Sequence, residues 1–405
     1  MTEDISRSET RVVGFEDPEL DFQLLRQLGS ANSGGATVGE ALGAAAAIRE
    51  AGQGGWVPTF TELADRQRSR ANDCETAGHR VSAAEQYLLA CNSYRAAEYF
   101  AHVGTAEHRQ LGRASEKTFG RSMDLAGVPY ERLHVDVDGM SLPGYWFGTD
   151  QDSGGVLVAV SGFDGTTEET YLQYGRGAAA RGWQLLLIAG PGQADTNRVY
   201  PGKPFVPDTE RWISPWLDEA LTRPGVDAER MALLGISFGG YFALRAAAAD
   251  PRVRAVVANS PVVDLRWYLT SFVGFDPEQA LTAEDDFGLD DIDQIPDSEL
   301  PPTTKDMTRM LISRFGQGSF LRTFRYLREF TVDPASVTCP ALAMVGEGEG
   351  PNPLAQHQRF MAEAGGPVTS HVFTKADGAD AHCQLNNLPL SNQVLYDWLD
   401  DTLPA

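Results

Sequence analysis

The sequence is poor in cysteine and in lysine. Its 405 residues include four cysteines, at positions 74, 91, 339 and 383, and four lysines. The cysteines form no C-x-x-C pair and no spacing typical of zinc ligands, so the sequence indicates neither a disulfide framework nor a metal site. No run approaches the roughly 18 to 20 apolar residues that a membrane-spanning helix needs.

Positive charge is also scarce. Lysine and arginine total 33 against 56 aspartate and glutamate residues, which gives a net charge of −23. Nucleic acids and anionic membranes would repel such a surface, so neither is expected as a partner. The expected partner is a small-molecule substrate. The start, MTEDISRSET, is polar and acidic with no apolar segment behind it, which predicts a cytoplasmic protein.

The first part of the chain has the pattern of an all-helical domain. Residues 40–52 are alanine-rich, and apolar residues within 81–104 recur at steps of three and four, as on one face of an amphipathic helix. A further helical stretch ends at Gly127, a residue typical of helix C-termini. We predict an N-terminal helical cap domain over residues 1–127.

From residue 128 onward the spacing of apolar residues changes from a helical pattern to that of alternating strands and helices. Residues 130–147 indicate two strands joined at Asp138-Gly139, a hairpin signal. Continuous apolar strands then alternate with helices, which predicts a mostly parallel sheet covered by helices on both faces, within a catalytic domain over 128–405. About seventy residues, 264–332, separate two of the strands; because structureless loops of that length are uncommon, we predict a helical insertion over one end of the sheet.

One serine stands between glycines, in the stretch GISFGG at 235–240. The pattern G-x-S-x-G places a serine on a tight turn between a strand and a helix, with its hydroxyl raised above the sheet. Here an apolar strand precedes Ser237 and a helical pattern follows it. The sequence has no G-x-G-x-x-G and no Lys-Ser/Thr pair at this point, so a phosphate-binding loop is disfavoured and no cofactor is expected. We predict Ser237 as a nucleophile.

A serine nucleophile needs a base, and in this arrangement the chain order is serine, acid, histidine. Three histidines lie far enough along the chain. His357 falls in a predicted helix and His371 in a predicted strand, whereas His382 falls in the loop after the last strand. We therefore predict His382 as the base.

The acid of such a triad follows the strand at 341–346, where the chain reads GEGEG. Spacing from the end of the strand favours Glu349, three residues past Gly346, and Glu347 is the alternative. Either carboxylate would orient the imidazole and stabilise its charged form.

Two backbone amides are needed to bind a developing oxyanion. We assign them to Phe238, which follows the nucleophile, and to Phe163, in the loop SGFDGTTEE after the strand at 155–162. Asp164 in the same loop, together with Trp267 and Tyr268 after a later strand, are candidates for lining the substrate pocket.

With these residues placed, the chain resembles the α/β-hydrolases that carry an N-terminal helical cap, such as 2,6-dihydroxypseudooxynicotine hydrolase and the fungal polyketide-shortening hydrolases. The stretches that carry the resemblance are SAAEQYLLACNSYRAAEYF, SGFDGTTEE, GISFGGYFALRAAAADPRVRAVVANSP and GADAHCQLNN. The resemblance implies an α/β-hydrolase fold, a site between cap and core, a Ser–acid–His triad and a homodimer. The commoner acid in the family is Asp, so a Glu must reach further here.

The resemblance also implies the reaction class. Family members cleave carbon–carbon bonds next to a ketone in aromatic or polyketide-like molecules of secondary metabolism, and an ester bond would suit the same triad. Related bacterial proteins of tetronate pathways resemble lyases that eliminate acetate, and sequence does not separate elimination from hydrolysis. A prolyl-oligopeptidase-type peptidase would carry a propeller of short strands in place of the helical region. A non-catalytic interaction module is the other alternative for that region.

Overall fold

The computed structural model describes residues 7–148, 155–273 and 286–404. Residues 1–6 of the predicted cap, residues 274–285 of the predicted insertion, and residues 149–154 and 405 lie outside the described residues. The four cysteines are free thiols. Within the described ranges, no helix is both long enough and apolar enough to cross a membrane.

Five helices precede the sheet. They are α1 (Pro18–Gly29), α2 (Val38–Ala51), α3 (Trp56–Thr76), α4 (Arg80–Phe100) and α5 (Ala106–Ala126). Asp17, Thr37 and Thr105 cap three of them by accepting hydrogen bonds from first-turn amides. Helix α4 packs between α3 and α5. Buried alanines in α4 allow this close packing, as in the series Ala83, Ala90 and Ala97.

Eight strands form one sheet. They are β1 (Glu131–Val137), β2 (Met140–Phe147), β3 (Val156–Val160), β4 (Gln184–Ile188), β5 (Met231–Ile236), β6 (Ala255–Asn259), β7 (Ala341–Gly346) and β8 (Val368–Phe373). Their order is β1-β2-β4-β3-β5-β6-β7-β8. Strands β1 and β2 are antiparallel, β2 is antiparallel to β4, and the remaining pairs are parallel. The predicted hairpin is confirmed, with both Asp138 and Gly139 at positive φ.

Helices cover both faces of the sheet. They are α6 (Thr167–Thr170), α7 (Arg176–Ala180), α8 (Ala194–Val199), α9 (Glu210–Leu221), α10 (Gly239–Ala249), α11 (Leu265–Val273), α12 (Pro302–Phe315), α13 (Phe320–Tyr326), α14 (Pro351–Glu363) and α15 (Leu388–Thr402). The sequence of β3 is apolar throughout because both faces of this strand are buried. Val156, Val158 and Val160 enter one apolar core, while Leu157 and Ala159 enter the core on the opposite face. The predicted mostly parallel sheet with helices on both faces is confirmed.

Candidate active site

Ser237 lies on the turn between β5 and α10. Its φ of 59° is in the left-handed region, which non-glycine residues rarely adopt. A Cβ atom on Gly235 would overlap the carbonyl oxygen of Gly239, and a Cβ atom on Gly239 would lie 2.7 Å from the carbonyl oxygen of Val160. The two glycines therefore allow β3, β5 and α10 to approach closely, and Ser237 stands at the N-terminus of α10.

Three of the predicted side chains form one chain of hydrogen bonds. His382 Nε2 lies 2.9 Å from Ser237 Oγ, and His382 Nδ1 lies 2.5 Å from Glu349 Oε2. The Glu349 carboxylate also accepts hydrogen bonds from the backbone N–H of Gly346 at 2.8 Å and from the Ser260 hydroxyl at 2.8 Å. Glu349 and His382 are 2% and 4% exposed, so water hardly competes for these bonds.

The two candidate acids differ in burial and in hydrogen-bond partner. Both lie in one 3₁₀ turn, Glu347–Glu349, after β7. Glu347 is exposed, and its carboxylate accepts a hydrogen bond from the backbone N–H of Lys375 at 2.5 Å. The structure brings Glu349, the residue favoured by spacing, to His382, and its role as the acid stays a prediction.

The two other candidate histidines have different neighbours. His357 lies on α14, with Nε2 3.2 Å from the Ser370 hydroxyl. His371 lies on β8, and its ring centroid is 4.3 Å from that of Phe373. The structure therefore brings His382, and neither of these two, to Ser237.

The loop after β3 runs directly beside the turn that carries Ser237. A Cβ atom built on Gly162 would lie 2.8 Å from Ser237 Cβ and 2.9 Å from the backbone nitrogen of Phe238. The rings of Phe163 and Phe238 are buried against Phe205, with centroids 5.8 and 5.1 Å away. This packing restrains the side chains of both residues whose amides are the predicted oxyanion donors.

A small cavity of about 30 Å³ lies in front of Ser237, with room for one or two water molecules. Its lining is formed by Arg7, Phe163, Asp164, Ser237, Phe238, Tyr268, Leu269, Met307, Leu311 and His382. Asp164 and Tyr268 lie at this cavity, and their contact with a substrate stays a prediction. Trp267 is not brought there, since it is outside this lining and 40% exposed.

His382 and Tyr268, which both line the cavity, have shifted pKa values. Burial alone would lower the pKa of His382, but the neighbouring Cys383 and the Glu349 carboxylate raise it above its ordinary value. Burial and the nearby Glu349 charge raise the pKa of Tyr268 well above its usual range, so this residue is a neutral phenol. His382 therefore holds a proton strongly once it has taken one.

Comparison with known proteins agrees with this architecture. A sequence model described as the prolyl oligopeptidase family matches residues 213–286, which include the Ser237 turn. The alpha/beta hydrolase xenA of Xenoacremonium sinensis is 32% identical, over 82% of this chain and 82% of its own. The chain belongs to the α/β-hydrolase family.

Two further proteins are similar to this hydrolase, one in sequence and one in structure. The 20-hydroxy-prefusarin hydrolase FUS2 of Gibberella moniliformis is 31% identical, over 62% of this chain and 62% of its own. The crystal structure of 2,6-dihydroxy-pseudo-oxynicotine hydrolase superposes with a TM-score of 0.65 at 20% identity, over 93% of this chain and 95% of that one. The resemblance to these proteins that the sequence motifs indicated is confirmed, and the α/β-hydrolase fold with it.

Asp164 of the hydrolase lies among three guanidinium groups. Arg7 Nη1, Arg26 Nη1 and Arg95 Nη2 lie 3.1, 2.9 and 3.4 Å from its carboxylate oxygens. Burial alone would raise the pKa of Asp164, but the arginines, Arg26 foremost, hold it well below its usual range. The carboxylate therefore stays ionised and ties the N-terminal segment, α1 and α4 to the loop after β3.

Sequence reasoning did not identify four of the lining residues of the hydrolase. They are Arg7, Leu269, Met307 and Leu311. Met307 and Leu311 are four residues apart on α12, and that spacing places them on one helix face, which is a usable signal. No local signal marks Arg7, because its neighbours in space come from distant parts of the chain. In the ranges that the structure describes, no group of three or more His, Cys, Asp or Glu side chains is arranged to hold a metal ion.

Proposed function

We propose that this hydrolase uses Ser237 as its nucleophile, His382 as base and Glu349 as the acid that orients the imidazole. The observation that carries the proposal is the chain of hydrogen bonds from Ser237 Oγ through His382 to Glu349, at 2.9 and 2.5 Å, beside a buried cavity. Asn, Gln or water in place of such a carboxylate would carry no negative charge to stabilise the charged imidazole. Burial of Glu349 and His382 strengthens that support.

The reaction we propose is cleavage of a bond next to a carbonyl group in a small molecule. Ser237 attacks the carbonyl carbon as His382 takes the hydroxyl proton, and the amides of Phe163 and Phe238 bind the oxyanion. Collapse of this intermediate expels the leaving group, which receives the proton from His382. Water then hydrolyses the acyl-enzyme by the same steps in reverse roles.

Polyketide-like or aromatic molecules are the substrates that we propose, in a pathway of secondary metabolism. The mostly apolar lining of the cavity, with Leu269, Met307 and Leu311, suits such compounds. FUS2 is named for 20-hydroxy-prefusarin, and the structural relative for a substituted oxynicotine. The bond is a carbon–carbon or ester bond, and because the cavity holds only one or two waters, the substrate has to displace part of its wall on entry.

The test is turnover of p-nitrophenyl acetate by Ser237→Ala. We expect kcat to fall by about 10⁴-fold or more, because the base alone cannot replace the nucleophile. Ser115→Ala is a matched control, since it removes a buried hydroxyl bonded to the carbonyl oxygen of Cys91, away from the cavity. Ser115→Ala should retain activity. Loss of activity in neither variant would contradict the proposal. Elimination of acetate, with His382 as the base, would then remain the alternative reaction for the natural substrate.

A further inference from the structure

The cavity has a buried cation in its wall. The guanidinium of Arg7 lines it together with Ser237 and His382, although Arg7 is only 7% exposed. Most of the remaining lining is apolar. Because the cavity has room for only one or two water molecules, the groups on its walls face one another across a short gap. Arg7 therefore lies close to any substrate that Ser237 attacks.

The position of Arg7 is fixed by its main chain and by its side chain. Its carbonyl oxygen accepts a hydrogen bond of 3.1 Å from the backbone N–H of His382. Its guanidinium donates to Tyr99 Oη at 2.7 Å and to Asp164 Oδ2 at 3.1 Å, and lies 5.3 Å from the ring centroid of Phe22. The same segment that carries the cation is thus bonded to the loop that carries the base.

The ion pairs around Arg7 favour a neutral substrate. Besides Asp164, Arg7 contacts Glu19 at 3.2 Å, while Arg26 contacts Asp164 at 2.9 Å and Arg95 contacts Glu169 at 2.8 Å. These three arginines thus match three carboxylates, Glu19, Asp164 and Glu169. Asp164 also lines the cavity, so its carboxylate would repel a substrate that carries a full negative charge, whereas a neutral carbonyl group carries no such charge. A site of this kind stabilises negative charge that develops during the reaction more than charge present beforehand.

A carbon–carbon bond makes a particular demand on such a site. When this bond breaks, its electron pair stays with carbon, and a second carbonyl group can stabilise that charge as an enolate. An ester does not need this, since its leaving oxygen takes the charge itself. We propose, on the basis of the function proposed above, that Arg7 binds the second carbonyl oxygen of a neutral 1,3-dicarbonyl substrate and stabilises the departing enolate.

The proposed cleavage consumes one water molecule and needs no oxidant or reductant. Ser237 Oγ bonds to the first carbonyl carbon while its proton passes to His382. The tetrahedral intermediate collapses, the bond to the central carbon breaks, and its electron pair becomes the enolate double bond, with the charge on the oxygen bound by Arg7. His382 returns the proton to the central carbon, which gives a ketone. Water hydrolyses the acyl-Ser237 to a carboxylic acid, so one diketone and one water yield one ketone and one acid.

The experiment compares a diketone with an ester in the full-length protein. The probes are 1-phenylbutane-1,3-dione and p-nitrophenyl acetate, assayed with the wild type and with Arg7→Gln, Arg7→Lys and Arg26→Gln. For Arg7→Gln we expect kcat/KM to fall by about 100-fold on the diketone and by less than about tenfold on the ester, because only the diketone develops charge at Arg7. Arg7→Lys keeps a cation and should recover part of the diketone activity, even if Arg7→Gln folds poorly.

Arg26→Gln is the matched control, because it disturbs the same ion pairs from outside the cavity. It should lower both activities by similar factors and leave their ratio unchanged. The inference would be overturned if Arg7→Gln lowered kcat/KM equally on the diketone and the ester. It would also be overturned if Arg26→Gln changed the ratio of the two activities as much as Arg7→Gln does. Either result would indicate a structural role for Arg7. A wild type that hydrolyses the ester and leaves the diketone intact would also overturn it. Failure of the proposed function is distinguishable, because Ser237→Ala would then keep its activity on the ester.

Discussion

The imidazole of His382 is held at both of its ring nitrogens. Nδ1 faces the carboxylate of Glu349 and Nε2 faces the hydroxyl of Ser237. Glu349 is itself held by the backbone N–H of Gly346 and by the hydroxyl of Ser260. A carboxylate fixed by two other donors cannot easily turn away, so it defines the tautomer of the imidazole as well as its position.

The residue-scale prediction concerns the pH dependence of Glu349→Gln. In the proposed mechanism Ser237 is activated only by neutral His382, so kcat/KM should rise with pH through the pKa of His382. Glu349 is one of the groups that raise this pKa. Removing its charge should therefore move the rising limb to lower pH, and should lower the maximal kcat by about 10⁴-fold, because the amide does not stabilise the imidazolium.

Glu347→Gln is the control, as it changes the same functional group two residues away on the exposed side of the turn. Glu347→Gln should leave unchanged both the pH at which kcat/KM rises and the maximal kcat. If Glu347→Gln shifts the limb and Glu349→Gln does not, then the acid has been assigned to the wrong residue.

Local patterns account for the residues that sequence reasoning found. The strand, the two glycines and the helix around Ser237 lie within one short stretch, and the positions of Glu349 and His382 relative to the ends of β7 and β8 are set by the fold. Arg7 carried no such pattern, because its partners Asp164 and Tyr99 are 157 and 92 residues away in sequence. Trp267 and Tyr268 are adjacent, and helix periodicity in α11 turns only one of them to the cavity.

At the scale of elements, the insertion between β6 and β7 supplies part of the cavity wall. Met307 and Leu311 project from α12 into the cavity, while Phe315 on the same helix packs on the Phe163 ring with centroids 6.3 Å apart. The helix therefore contacts both the cavity and the loop that carries a predicted oxyanion donor. That the segment is helical was predicted from its length, but its position over the nucleophile depends on tertiary packing.

Met307→Ala should enlarge the cavity and broaden the range of acyl groups accepted. We expect the ratio of kcat/KM for p-nitrophenyl octanoate over the acetate to rise by about tenfold, since space is gained next to Ser237 while the triad is untouched. Met310→Ala is the matched control, being equally buried on the same helix but outside the cavity lining. Both variants should lose about 2 to 5 kcal/mol of unfolding free energy, measured by urea denaturation. An equal change of substrate range in Met307→Ala and Met310→Ala would show that the effect comes from destabilised packing of α12 and not from space gained in the cavity.

At the scale of the whole molecule, the N-terminal helices are joined to the sheet by buried ion pairs. Arg26 and Arg95 hold Asp164 and Glu169, and Arg198 of α8 contacts Glu98 of α4 at 2.8 Å. Breaking a buried pair by removing one partner costs about 3 to 5 kcal/mol, because the remaining charge stays buried without compensation. The two regions are thus expected to fold together.

Expression of residues 128–405 alone tests this coupling. We expect an insoluble or inactive product, because Asp164, Glu169 and Arg198 would lose partners and an apolar surface would be exposed. The measurements are soluble yield and ester hydrolysis, against the full-length chain. A soluble truncated protein with full-length activity would contradict the account and would assign the helical region to interaction or assembly.

The identity of the nucleophile is tested most directly by locating a covalent adduct on the protein. Diisopropyl fluorophosphate reacts with a serine that a neighbouring base activates, and mass spectrometry of the digested protein identifies the modified residue. We expect one adduct per chain, on Ser237, formed far more slowly in His382→Ala and absent from Ser237→Ala. An unmodified Ser237 in a protein that still turns over its substrate would contradict the account.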